Sequence, residues 1–152
     1  MNNIQQKILN IQNEIQQLSK DELNKFQNYK YFTEIQVLEK LKPLLNKYKL
    51  LITISDENHD LTYEKPNLTS NAAREREYLI KYLKKVEIWD TEAKEKENQQ
   101  LNYYFWAVGN NTDIAKAKGS AETYAMKYFL SKFFLIPISD NSDPDYSPVK
   151  EK

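Results

Sequence analysis

Two stretches of this chain set basic residues beside aromatic ones. Between Ala72 and Ile88 stand Arg74, Arg76, Lys81, Lys84 and Lys85 against Glu75, Glu77 and Glu87, a local net charge of plus two. Between Asp113 and Lys132 stand Lys116, Lys118, Lys127 and Lys132 against Asp113 and Glu122, again plus two. Both lie beside aromatic-rich stretches, Tyr103-Tyr104-Phe105-Trp106 among them. Single-stranded nucleic acid is held by cations that track its phosphates and by rings that stack on its bases, so this composition permits that chemistry. Lysines and tyrosines on hairpins and helices are more often plain surface and core residues, so the pattern alone does not select it.

Other chemistries are harder to place. There is no cysteine, which excludes disulfides, zinc-thiolate sites and thiol nucleophiles. The single histidine, His59, sits in an Asp-Glu-Asn-His-Asp run and reads as an exposed loop residue; a two-histidine metal site is excluded. Gly109 and Gly119 are the only glycines, and Gly119 is followed by Ser120 and Ala121, so a phosphate-cradling P-loop cannot be built. Asp140, Asp143 and Asp145 lack the glycine of a calcium loop and are interrupted by Pro144, which makes them a solvated tail. No nucleophile elbow or glutamate pair stands out, so no bond-making catalysis, cofactor or metal is expected. The net charge is zero, with 22 basic and 22 acidic residues, so any nucleic-acid face must come from local segregation of charge. No apolar run approaches the roughly 20 residues of a membrane span, and Met1 to Gln6 lacks the features of a signal peptide. The expectation is a cytoplasmic protein.

The elements that would position these residues follow from periodicity. Ile4, Ile8, Ile11, Ile15 and Leu18 make an amphipathic helix over 4–18 with a short heptad-like seam, which must pack on its own domain or on a neighbouring subunit. Ser19 to Glu22 resembles a capping box and suggests a short helix. Thr33 and Gln36 form a second capping box, opening a helix with Ile35, Leu38, Leu41 and Leu45 on one side that Pro43 should end or kink. Lys49 to Ser55 reads as a strand and Asp56 to Asn71 as a loop. Residues 78–89 fit a strand with Tyr78, Ile80, Tyr82, Val86 and Ile88 on one face, although helical spacing fits almost as well. Gln99 to Val108 is a strand, and the two make a β-hairpin. Asn110 to Lys118 reads as a polar connector into a helix over 119–134, with Ala121, Tyr124, Ala125, Tyr128, Phe129 and Phe133 in reach of the core. For Tyr124 and Tyr128, core packing outweighs base stacking. The fold class is α+β: an antiparallel hairpin or small sheet packed on helices. Residues 1–138 form one domain, and 139–152 an acidic flexible tail.

The run Gly119-Ser120-Ala121-Glu122-Thr123-Tyr124-Ala125-Met126-Lys127-Tyr128-Phe129-Leu130 resembles the Gly-Ser-Ala-x-Thr-Tyr-Ala-x-Arg/Lys-Tyr-x-Leu signature of the ERF (essential recombination function) family. Phe134-Leu135-Ile136 with Asp140, Asp143 and Asp145 is similar to that family's apolar step and aspartate-rich exit. Phe26-x-x-Tyr29-Lys30-Tyr31 and Leu41-Lys42-Pro43-Leu44-Leu45 are similar to its opening. Met126 departs from the pattern, standing where the family often has a basic or polar residue, and the segment from Asp56 to Asn71 is long for it.

This resemblance implies a phage-type protein that binds single-stranded DNA and anneals complementary strands without ATP, as a homo-oligomeric ring or filament. It also implies a host single-strand-binding protein as a candidate partner. On that reading Arg74, Arg76, Lys81, Lys84 and Lys85, together with Lys116, Lys118, Lys127 and Lys132, supply the DNA face. Ser120 and Tyr124 join them, and Gly119 lets the helix start approach backbone or phosphate. The alternatives are a protein that coats single strands without annealing them, or a phage protein that binds or inhibits a protein partner through the 4–18 helix.

Overall fold

The structure, a computed structural model, describes residues 3–20, 22–24, 29–57, 62–64, 78–95 and 99–139. Their order is α1 (Ile4–Glu14), β1 (Leu18–Ser19), β2 (Glu22–Asn24), β3 (Tyr29–Tyr31), α2 (Glu34–Tyr48), β4 (Leu50–Asp56), β5 (Thr62–Glu64), β6 (Tyr78–Asp90), β7 (Gln100–Asn111), α3 (Ile114–Phe133) and β8 (Ile138–Ser139). The class is α+β. The long strand β6 is the spine of the main sheet. It pairs antiparallel with β7 along one edge and with β4 and then β5 along the other. The β6–β7 hairpin runs in unbroken register from Tyr78↔Asn111 to Trp89↔Gln100.

Strand alternation sorts this hairpin into two faces. Ile80, Tyr82, Lys84, Val86, Ile88 and Asp90 of β6 point inward and are buried. α3 lies across the hairpin on that side, with Ala117, Ala121 and Ala125 in one core cluster with Ile80, Tyr82 and Ala107. A second, larger cluster joins Ile4, Ile8, Ile11, Ile15 and Leu18 to Val37, Leu41, Val86, Ile88, Met126, Leu130, Phe134 and Ile136. The isoleucine seam therefore packs within its own chain. Lys7 adds a polar tie: its Nζ donates to Asp90 Oδ1 at 2.7 Å and to Glu92 Oε2 at 2.8 Å, fastening α1 to the end of the hairpin. Lys47 and Tyr48 bind Glu14 and link α2 to α1.

The structure revises several expectations. The first helix stops at Glu14 rather than reaching 18, because Ile15 turns extended (φ −66°, ψ 128°) and Leu18–Ser19 pairs in parallel with Ile138–Ser139. Ile15 and Leu18 still reach the core from this extended segment. No helix begins at Ser19: Glu22–Asn24 is a strand paired with Tyr29–Tyr31, so a ladder of backbone hydrogen bonds prevails over the capping signal. The Thr33–Gln36 capping box does form, with Gln36 N donating to Thr33 Oγ1 at 3.3 Å and Thr33 N to Gln36 Oε1 at 2.7 Å. α2 runs through Pro43 to Tyr48. Pro43 lies on an exposed side of the helix, as does Glu39 one turn before it, where water can stand in for the N–H that proline lacks. The buried side of α2 is Val37 and Leu41; Ile35 is exposed. Within the expected 56–71 loop, Thr62–Glu64 pairs with β6. The polar connector before α3 is shorter than expected, since the helix starts at Ile114 with Asp113 accepting from Ala115 N and Lys116 N. Residues 140–152 of the expected tail lie outside the described residues.

α3 lies close against the hairpin at Gly109. A Cβ at this position would sit 2.4 Å from the Ala117 carbonyl oxygen, 2.6 Å from Ala121 N and 2.9 Å from Ala121 Cβ. Two of those atoms are helix backbone, which cannot step aside as a flexible side chain would. Gly109→Ala should therefore lower stability by about 2 kcal/mol through overpacking, read as a fall in the urea midpoint at unchanged slope. Gly119→Ala, where a Cβ meets nothing within 4 Å, should be neutral or slightly stabilising.

Candidate nucleic-acid interface

The outward face of the hairpin carries the other half of the alternation. β6 presents Lys81, Leu83, Lys85, Glu87 and Trp89, and β7 presents Asn102, Tyr104, Trp106 and Val108. Tyr104 is 55% exposed and Trp106 50%, large fractions for such rings in mid-strand. The ammonium of Lys81 lies 4.8 Å from the centre of the Trp106 ring. Lys85 stands opposite Tyr104 and forms an ion pair with Glu87 at 3.0 Å. Thr53 of β4 bridges the far end, accepting from Trp89 Nε1 and donating to Glu87. This face thus offers exposed rings and cations at strand spacing.

On the inward side, four charges close on one another. Lys84, with 4% of its side chain exposed, pairs with Asp56 and with Glu122, each at 2.6 Å. Lys118 reaches the same two carboxylates, Asp56 at 2.8 Å and Glu122 across one helical turn. Tyr82 completes the cluster by donating its hydroxyl hydrogen to Glu122 at 2.7 Å. Burial and this hydrogen bond push the Tyr82 hydroxyl up to about 12. Burial works to raise Asp56 and Glu122, but the hydrogen bonds from Lys118 and Lys84 outweigh it and hold both carboxyls below their ordinary values. Burial would lower Lys118, yet its bonds to Asp56 and Glu122 raise it. Two cations and two anions cancel here, so the cluster joins β4, β6 and α3 without adding charge to the surface.

The third feature lies on α3. Tyr124 and Tyr128 are stacked on each other, with ring centres 6.1 Å apart and planes 19° apart, and are 45% and 47% exposed. Phe32 meets Tyr128 edge-on at 5.8 Å. Lys127 is 5% exposed, and its Nζ donates to the Phe32 carbonyl at 3.0 Å. That ammonium lies 4.7–5.6 Å from the ring centres of Tyr31, Phe32, Tyr124 and Tyr128.

A family model of the ERF superfamily matches residues 4–152, essentially the whole chain. The chain belongs to the ERF superfamily. Membership gives it a general role in phage-type recombination and single-strand annealing. Searches among curated proteins and among solved structures each find no match. Among the described residues of this ERF protein, no helix is long and apolar enough to cross a membrane. Among the same residues, no cluster of three or more His, Cys, Asp or Glu could hold a metal ion.

The residues expected to make the DNA face separate into groups. Lys81 and Lys85 lie on the outward face of the hairpin, while Lys116 and Lys132 are exposed on α3 and Ser120 is half-buried there. Lys84 and Lys127 are buried, the first among carboxylates and the second among rings, and the half-buried Lys118 is paired with the same carboxylates as Lys84. Gly119 lies in the second turn of α3, exposed and with open space around it. The N-terminus of α3 is at Ile114, and the Asp113 side chain already accepts its first N–H groups. Tyr124 and Tyr128, expected in the core, are on the surface. Arg74 and Arg76 lie outside the described residues. Tyr104, Trp106, Tyr124 and Tyr128 are the aromatic residues that spacing alone did not place on a surface. Ala107 and Gly109 carried a usable signal, because two small residues of one parity mark the side a helix lies against and so turn Tyr104 and Trp106 outward.

Two measurements probe the cluster. Lys84→Met leaves both carboxylates short of a partner and should cost about 2 kcal/mol, less than a fully dry pair because Asp56 and Glu122 keep part of their side chains in water. Calorimetry or urea titration reads that loss. At alkaline pH the folded protein keeps Tyr82 neutral after an unfolded chain would ionise it. This stabilisation is full below the ordinary tyrosine pKa of about 10 and is lost as pH rises toward about 12. Ultraviolet titration should show one tyrosine ionising near pH 12, and Tyr82→Phe should remove that step.

Proposed function

We propose that this chain binds single-stranded DNA in the host cytoplasm and anneals complementary strands without ATP, acting as a homo-oligomer and making or breaking no covalent bond. The observation that carries the reading is the outward face of the hairpin, where Lys81 lies over the half-exposed Trp106 and Lys85 stands across from the half-exposed Tyr104. Exposed rings alternating with cations suit a ligand that has stackable bases on a charged backbone. Family membership supports the same role in its general form.

Annealing needs no fuel, because each stacked base-pair step is worth on average about 1.4 kcal/mol. The slow part is bringing two polyanions into register. Rings that stack on base faces leave the pairing edges free, and lysines screen the phosphates. A neutral chain with few outward cations per copy holds DNA through repetition, since neighbouring copies on one strand raise the effective concentration of each contact.

The test is annealing of two complementary fluorophore-labelled oligonucleotides without ATP, with light scattering to report mass. Acceleration by a large assembly is the expected result. Tyr104→Ala with Trp106→Ala should weaken strand binding by about tenfold or more while leaving the fold intact. Binding without acceleration would reduce the protein to a coating role, and no binding at low salt would overturn the reading.

A further inference from the structure

Lys116, Ser120, Tyr124, Tyr128 and Lys132 fall at successive i,i+4 positions of α3. Such residues form a continuous ridge along a helix surface. All but the half-buried Ser120 are exposed, and the two tyrosines occupy the middle. The helix's own carboxylates are engaged elsewhere: Asp113 caps the N-terminus and Glu122 is paired with Lys84 and Lys118. The ridge therefore presents a cation at each end and two aromatic faces between them. Its charge and its rings both complement a single strand.

Lys127 lies behind the rings. It is part of the family-like Tyr-Ala-x-Lys-Tyr run and looks like a phosphate ligand, but its ammonium is buried and donates to the Phe32 carbonyl at 3.0 Å. Its positive charge sits 4.7 Å from the Tyr124 ring centre and 5.1 Å from that of Tyr128. A desolvated cation at this range attracts ring faces and restricts how they can tilt. Phe32, held by the same ammonium, braces the edge of Tyr128.

We propose that the Lys116–Ser120–Tyr124–Tyr128–Lys132 ridge is a second contact for single-stranded DNA, with the tyrosine pair stacking on unpaired bases and Lys127 acting as the positioning residue that sets the pair. The proposal rests on the single-strand reading above and extends it to α3. Successive residues of the ridge rise by about 6 Å, against about 3.4 Å between bases along one strand of a duplex. Bases seated on the ridge are thus held further apart than in a finished helix, open to an incoming strand.

Salt dependence separates positioning from direct contact, because each phosphate neutralised on a single strand adds about 0.7 to the slope of log affinity against log salt. The experiment is fluorescence titration of full-length protein with labelled oligo-dT at several salt concentrations. Lys132→Gln should flatten the slope by about 0.7. Lys127→Met should weaken binding by about fivefold and leave the slope unchanged, and Lys127→Arg should restore part of the loss. Tyr124→Leu with Tyr128→Leu should weaken binding by about tenfold, again at constant slope. A Lys127→Met slope as shallow as that of Lys132→Gln would make Lys127 a phosphate contact and overturn its positioning role. Wild-type affinity in the double tyrosine variant would overturn the ridge, and that variant decides alone if circular dichroism shows Lys127→Met unfolded. If wild-type protein fails to bind oligo-dT at low salt, the single-strand reading itself falls; normal binding by every variant removes only the ridge.

Discussion

The closeness of α3 to the hairpin is the constraint on which the rest depends. The helix can lie this low only because Gly109 has no side chain and Ala107, Ala117 and Ala121 have short ones. Contact at that level fixes which parity of β7 faces inward. Tyr103 and Phe105 then meet Phe129 and Phe133, while Tyr104 and Trp106 are turned to solvent. The same approach brings Glu122 and Lys118 of α3 down onto Tyr82, Lys84 and Asp56. Packing by small residues and pairing of the charges around Lys84 are thus two results of one geometry.

Charge is divided according to depth. Lys7, Lys84, Lys118 and Lys127 all make internal bonds that join separate elements, and none of the four is mainly a surface cation. Lys81, Lys116 and Lys132 extend into solvent. A local count of basic residues therefore overstates the field that a polyanion meets, and the pattern of outward residues matters more than the sum. On such a surface, outward rings such as Tyr104 and Trp106 make up more of what a ligand would meet, and net charge less, than in a strongly basic protein.

Much of this fold was legible in the sequence, and the failures have physical causes. The hairpin was visible because Ile80, Tyr82, Val86 and Ile88 alternate over a length that leaves one face apolar. The Thr33–Gln36 cap was visible because both of its hydrogen bonds are local. The end of α1 was not, since Leu18 pairs with Ile138, and no local signal reports a partner that distant. The surface position of Tyr124 and Tyr128 was hidden for a related reason: helical spacing says which residues share a side, not which side a second element covers. Lys127 was the least legible in depth: its type and its place between two tyrosines do not say whether it is buried, and its ammonium donates to the Phe32 carbonyl 95 positions earlier in the chain.

The parallel pairing of Leu18–Ser19 with Ile138–Ser139 has a bearing on how the chain folds. The isoleucines of α1 share a core with Leu130, Phe134 and Ile136, which lie far along the chain from them. Contacts of such long sequence separation must close a long loop before they are rewarded, so they are slow to form. The apolar seam of α1 therefore gains its full cover only when that distant pairing is made.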